Sequence, residues 1–169
     1  MAKRSAPALL VLLVLFMVGC DEATKQAATS MLSSRPPVQI IPRLLDLRYA
    51  ANHDMAFSLL GRFGITDASR ALAAVGLVIL AALALVWAKR RRTASKLEHV
   101  GFALALSGAI GNLIDRLLRG FVVDFIHVWR WPVFNVADAL VVAGVALLVV
   151  TGLRAPPSKT SPVEPRTLV

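Results

Sequence analysis

Four apolar runs divide the chain: residues 6–20, 71–88, 100–114 and 133–153. A helix that crosses a bilayer needs about 20 largely apolar residues. The second and fourth runs approach or meet that length. The first and third do so only if their polar neighbours are drawn to membrane depth, Asp21 and Lys25 in one case and Asn112 to Arg116 in the other. Such burial is costly, so those residues need partners or a function. The pattern predicts an all-α membrane fold, a bundle of four transmembrane helices with spans at about 6–25, 70–88, 98–116 and 133–153. The segment between the first two spans is too long for a bare turn. Within it, residues 38–41, 44–49 and 56–60 read as short strands, the first two separated by Pro42. They predict a small extracytoplasmic β-cradle over residues 35–62 or so. Residues 1–154 then form one domain. The tail 155–169, with Pro156, Pro157, Pro162 and Pro165 among Ser, Thr and Lys, is expected to be disordered and cytoplasmic.

Composition supports the membrane reading. Hydrophobic residues make up 57% of the chain and mean hydropathy is +0.68. The formal charge of +9 would ordinarily direct attention to nucleic acid. Here Lys89, Arg90, Arg91, Arg92 and Lys96 directly follow an apolar run, which is the signature of a cytoplasmic loop facing anionic lipid. With Lys3 and Arg4 at the start and Arg154, Lys159 and Arg166 at the end, both termini are expected in the cytoplasm. Arg116, Arg119 and Arg130 in the short outer loop fit the rule less well, and Arg116 reads as a candidate site residue. The single cysteine, Cys20, and the scattered His53, His99 and His127 have no metal-ligand spacing, so no metal and no cofactor are expected.

The candidate chemistry lies at one end of the later spans. Asn112 and Asp115 are three apart and Arg116 is four from Asn112, so they share a helix face. Asn135 and Asp138 repeat the three-residue spacing, and Asp124 interrupts the apolar stretch from Phe121 to Ile126. Each has a plain structural role open to it. Asp115 can pair with Arg116, the asparagines can bond between helices, and Asp138 can cap the fourth helix. The chemical alternative pairs Asp124 with Asp138. Two carboxylates held close share one proton, so one can take a proton from water while the other polarises a carbonyl.

Five segments in order resemble the lipoprotein signal peptidases, also called type II signal peptidases. Asp21-Glu22-Ala23-Thr24-Lys25 resembles the D-x-x-T-K element, and Asn52 with Ala56-Phe57-Ser58 resembles N-x-G-x-A-F-S. Gly111-Asn112-Leu113-Ile114-Asp115-Arg116 resembles G-N-x-x-D-R, Val122-Val123-Asp124-Phe125 resembles V-x-D-F, and Phe134-Asn135-Val136-Ala137-Asp138 resembles F-N-x-A-D. The resemblance implies a catalytic dyad of Asp124 and Asp138. It implies that Asn52, Asn112, Arg116 and Asn135 bind substrate, and that Asp21, Lys25, Asp115, Phe57 and Gly111 support the site. The implied substrate is a prolipoprotein carrying diacylglycerol on its cysteine, cleaved just before that cysteine in the bacterial inner membrane; a monomer suffices, because both acids lie on one chain. Membrane lipids are the other expected partner, and nucleic acid is not. Two positions depart from the family pattern: Asp54 stands where the family has glycine, and Glu22 where glutamine is usual.

Two rival readings remain. A proton- or ion-coupled transporter would need acids along a path through the membrane, whereas these concentrate at one end and the second span has none. Met17-Val18-Gly19-Cys20 imitates a lipidation signal, but three further apolar runs follow it.

Overall fold

The first helix, α1 (Ala6–Leu32), has a single buried stripe. Leu10, Val14, Asp21, Lys25 and Ala28 recur at three-, four- and seven-residue intervals and are all buried, while Leu9, Leu12, Leu15 and Phe16 point outward. The outward face is as apolar as the inward one, which suits a helix surrounded by lipid. The computed structural model describes residues 6–53 and 68–154. After α1 come β1 (Val38–Ile41), β2 (Leu45–Asn52), α2 (Ala68–Arg90), α3 (Lys96–Leu118), β3 (Val122–Val128) and α4 (Val136–Arg154).

Helix α3 is the hub, packing against α1, α2 and α4. Its N-terminus is set by a capping box, in which the Ser95 hydroxyl accepts from Glu98 N–H and Glu98 accepts from Ser95 N–H. Small residues let α4 approach closely. A Cβ on Gly108 would run into the Ala137 carbonyl, and one on Gly144 would lie 2.5 Å from Ala105 N. This is the small-residue helix packing that suits an interior with no hydrophobic driving force between helices. Among the described residues, Arg70–Arg90 and Lys96–Leu118 are long and apolar enough to cross a membrane, and Val136–Gly152 is a shorter apolar helix.

The three strands form one antiparallel sheet in the order β1-β2-β3. The turn at Pro42 and the first two strands lie close to their expected positions. The third strand does not. It comes from Val122–Val128, after α3, and pairs with β2 through Leu45↔Val128, Ala50↔Asp124 and Asn52↔Val122. The sheet is thus not confined to the segment between the first two helices, because strand partners are chosen by space rather than by chain order. Asp46 bonds both Arg48, at 2.6 and 2.7 Å, and His127 on β3, at 2.9 Å. The Arg48 guanidinium, aided by His127, holds the Asp46 carboxyl down at about 2. Two helix bounds also shift. α1 runs on to Leu32, beyond the expected end near residue 25, because buried Asp21 and Lys25 satisfy each other inside it. α4 starts at Val136 rather than 133, because Asn135 and Asp138 cap it there. The expected strand at 56–60, Phe57, Asp54 and the tail from 155 lie outside the described residues.

Candidate active site

Two strands and two helices deliver polar side chains to a common place. Asn52 closes β2, Asp124 is the third residue of β3, Asn112 lies on α3, and Asn135 and Asp138 form the entry to α4. The Asn52 side-chain amide donates to Asp124 Oδ2 at 2.7 Å, and Asn135 donates to Asp124 Oδ1 at 2.7 Å. Asn112 donates to Asp138 Oδ1 at 2.7 Å, and its own oxygen accepts from Asn135 at 3.2 Å. The two carboxylates are therefore joined through a pair of asparagine amides. Asp124 is 2% exposed and Asn135 fully buried.

Asp138 has two roles at once. Its Oδ2 accepts the Asn135 backbone N–H at 3.2 Å, while Asn135 Oδ1 accepts the Asp138 N–H at 3.0 Å. That reciprocal pair is a capping box, and it occupies only one oxygen of Asp138. The other faces Asn112. The helix-cap reading of Asp138 thus holds, and the cap leaves its second oxygen within the polar cluster.

Burial pushes the Asp124 carboxyl up to about 6, and the nearby Asp138 charge acts in the same direction; bonds from Asn52 and Asn135 oppose it. A carboxyl titrating near neutrality can hold or release a proton at working pH, which general acid–base chemistry requires.

Beneath this cluster lies a fully buried charge network. Lys25 Nζ meets Asp21 Oδ2 at 2.7 Å and Asp115 Oδ2 at 2.9 Å, and donates to Asn112 Oδ1 at 3.3 Å. Asp21 Oδ1 accepts from Ala137 N–H at 2.8 Å, and Asp115 Oδ2 accepts from Val123 N–H at 3.1 Å. Helix α1 is thereby tied to the start of α4, and α3 to β3, beside the two candidate catalytic residues. Gly111 leaves the space for Asp21, whose carboxylate would collide with any Cβ there.

Arg116 lies on the same helix as Asn112 and Asp115. Among its bonds is one to the Asn112 carbonyl at 3.1 Å. The partner of Asp115 on its own helix is Arg119, one turn further on, which also bridges to Glu22 at 3.1 Å. Sequence reading missed Arg119 and gave Glu22 no partner, although the four-residue spacing of Asp115 and Arg119 was a usable signal.

The model of the signal peptidase II family matches residues 13–154. The chain belongs to this family. Signal peptidase II relatives are similar over most of their length. The lipoprotein signal peptidase of Geobacter metallireducens is 40% identical over 139 residues, covering 79% of this chain and 83% of its own. That of Serratia proteamaculans is 35% identical over 153 residues, 88% of this chain and 89% of its own. A bacterial membrane enzyme solved by the in meso method at 2.3 Å aligns with a TM-score of 0.75 at 27% identity, over 93% of this chain and 94% of that one. As a signal peptidase II family member, the chain is a membrane-embedded protease.

Proposed function

We propose that this chain is an aspartic endopeptidase that removes the signal peptide from diacylglyceryl-modified prolipoproteins, cutting just before the lipidated cysteine. One observation carries the reading: Asp124 from β3 and Asp138 from α4 are bridged by Asn112 and Asn135 in a largely buried polar cluster. Four helices span the bacterial inner membrane, with both termini cytoplasmic and the sheet on the outer face. The acids then lie where a lipid-anchored scissile bond meets water. A single chain holds both acids, so a monomer suffices.

In this mechanism the pair carries one proton. The ionised carboxylate takes a proton from water as the water oxygen attacks the scissile carbonyl. The protonated carboxyl gives its proton to the carbonyl oxygen, forming a neutral tetrahedral diol. Collapse breaks the C–N bond, with the amide nitrogen protonated by the acid that first took the water proton and a diol hydroxyl returning a proton to the other. Asn52, Asn112 and Asn135 hold the carboxyls in position, and Arg116 contacts the substrate backbone. Asp21, Lys25, Asp115, Gly111 and Phe57 support the site.

The test is cleavage of a purified diacylglyceryl prolipoprotein by the full chain in detergent or nanodiscs. Asp124→Asn and Asp138→Asn are each expected to abolish signal-peptide release while leaving the folded protein intact. Parent-like cleavage by either variant removes the dyad.

A further inference from the structure

Two non-glycine residues among those described have left-handed backbone, Arg43 (φ 61°) and Trp129 (φ 48°), and both lie at the corner of the sheet where Leu44 bonds Trp129. Arg43 lies in the turn between β1 and β2, and Trp129 follows β3 directly; Trp129 N–H donates to the carbonyl of Leu44 at 2.7 Å. This backbone region is unfavourable for a bulky side chain. Packing among the described residues does not bury these side chains. Trp129 is 62% exposed and Trp131 68%, beside exposed Ile40, Ile41 and Leu44.

An open cavity of about 450 Å³ lies here, lined by Leu44, Val128, Trp129, Arg130, Trp131 and Phe134. The Arg130 guanidinium sits 5.1 Å from the centre of the Trp129 ring. Arg130 is exposed, and among the described residues no carboxylate pairs with it. Exposed aromatic rings around an unpaired cation suit neither water nor hydrocarbon alone. They suit the layer between, where indole rings rest at headgroup level and a guanidinium forks onto a phosphate. The position agrees, since the chain enters α4 at Val136, a few residues on.

We infer that this corner binds the headgroup of an anionic phospholipid, with Arg130 on the phosphate and Trp129 and Trp131 flanking the glycerol region. The inference rests on the reading that the sheet faces the outer leaflet, and it adds a lipid site apart from the dyad. β3 carries both this corner and Asp124, so lipid held here sets the depth of the catalytic carboxyl relative to a membrane-anchored substrate.

The test needs no activity. Trp87 is replaced first by Phe, which breaks no bond because its indole N–H has no hydrogen-bond partner. The full chain is then placed in nanodiscs containing phosphatidylglycerol or phosphatidylcholine brominated near the headgroup. Bromolipid quenching of the remaining tryptophans is expected to exceed quenching by aqueous iodide. It is expected to favour phosphatidylglycerol, and Arg130→Gln to reduce that preference about fivefold. Asp138→Asn should quench like the parent, so a failed dyad leaves the lipid result readable. Dominant iodide quenching overturns the proposal, as does a lipid preference indifferent to Arg130→Gln. Quenching that a diacylglyceryl prolipoprotein displaces also overturns it, because the corner then belongs to the substrate.

Discussion

The side chain of Asn135 donates to Asp124 at 2.7 Å across 11 residues of chain, while its oxygen accepts the backbone N–H of Asp138 at 3.0 Å. One amide thus orients both members of the proposed dyad and starts a helix as well. Asn135→Ala leaves a buried carboxylate oxygen without its donor and removes the cap, each a loss of about 1–2 kcal/mol. The cleavage rate is expected to fall at least tenfold, with a lower unfolding temperature. Peptide release and thermal unfolding, measured on one preparation, check this. Unchanged kinetics would show that Asn135 serves only the helix.

Lys25 lies between two buried acids. Lys25→Met leaves Asp21 and Asp115 buried without their shared cation and is expected to cost about 3–5 kcal/mol. Replacing Asp21 and Asp115 with Asn in the same chain should recover much of the loss, because the penalty comes from uncompensated charge. Denaturant unfolding in detergent tests the pair of results.

Helix contact sets a third expectation. Gly108→Ala forces α3 and α4 apart and should destabilise by about 1–3 kcal/mol. Gly19→Ala meets nothing within 4 Å and should be neutral or stabilising by up to about 1 kcal/mol. A Gly108→Ala protein as stable as Gly19→Ala would contradict the close approach of the two helices.

Asp124 also makes stability depend on pH. Its carboxyl titrates at about 6 in the folded protein against an ordinary 3.8, so folding favours the neutral form. Below pH 3.8 both states are protonated and the group has no effect. As pH rises towards 6 the unfolded chain ionises first, and the folded state loses up to about 3 kcal/mol relative to it. Asp124→Asn is expected to flatten the profile between pH 4 and 6. Unfolding scans across that range would show it, and parallel curves for parent and variant would rule out the burial effect.

Much of this was legible along the chain. Among the described residues, α1 to α4 fall on the four apolar runs, because a long apolar stretch buries or sheds its surface most easily as a helix. The polar residues at their ends were conspicuous, because a charge beside an apolar run needs a partner. The sequence also showed Asp21 and Lys25 on one helix face, and Asn135 and Asp138 at capping distance. It did not show that Val122–Val128 is a strand, since a short apolar stretch has the same appearance in a buried loop, a helix or a sheet. Nor did it show that Asp115 turns to Lys25 and Arg119 rather than to Arg116. Neighbours in sequence point to different sides of a helix, and residues four apart to the same side.

Chain order determined which residues are polar and how far each lies from a helix end. Only the tertiary structure decided the pairings: Lys25 with Asp115, Asn52 with Asp124, Asn112 with Asp138. Those contacts span 26 to 90 residues of chain. The physical reason is that an ionisable group buried in an apolar bundle must bond whatever the packed helices bring within about 3 Å.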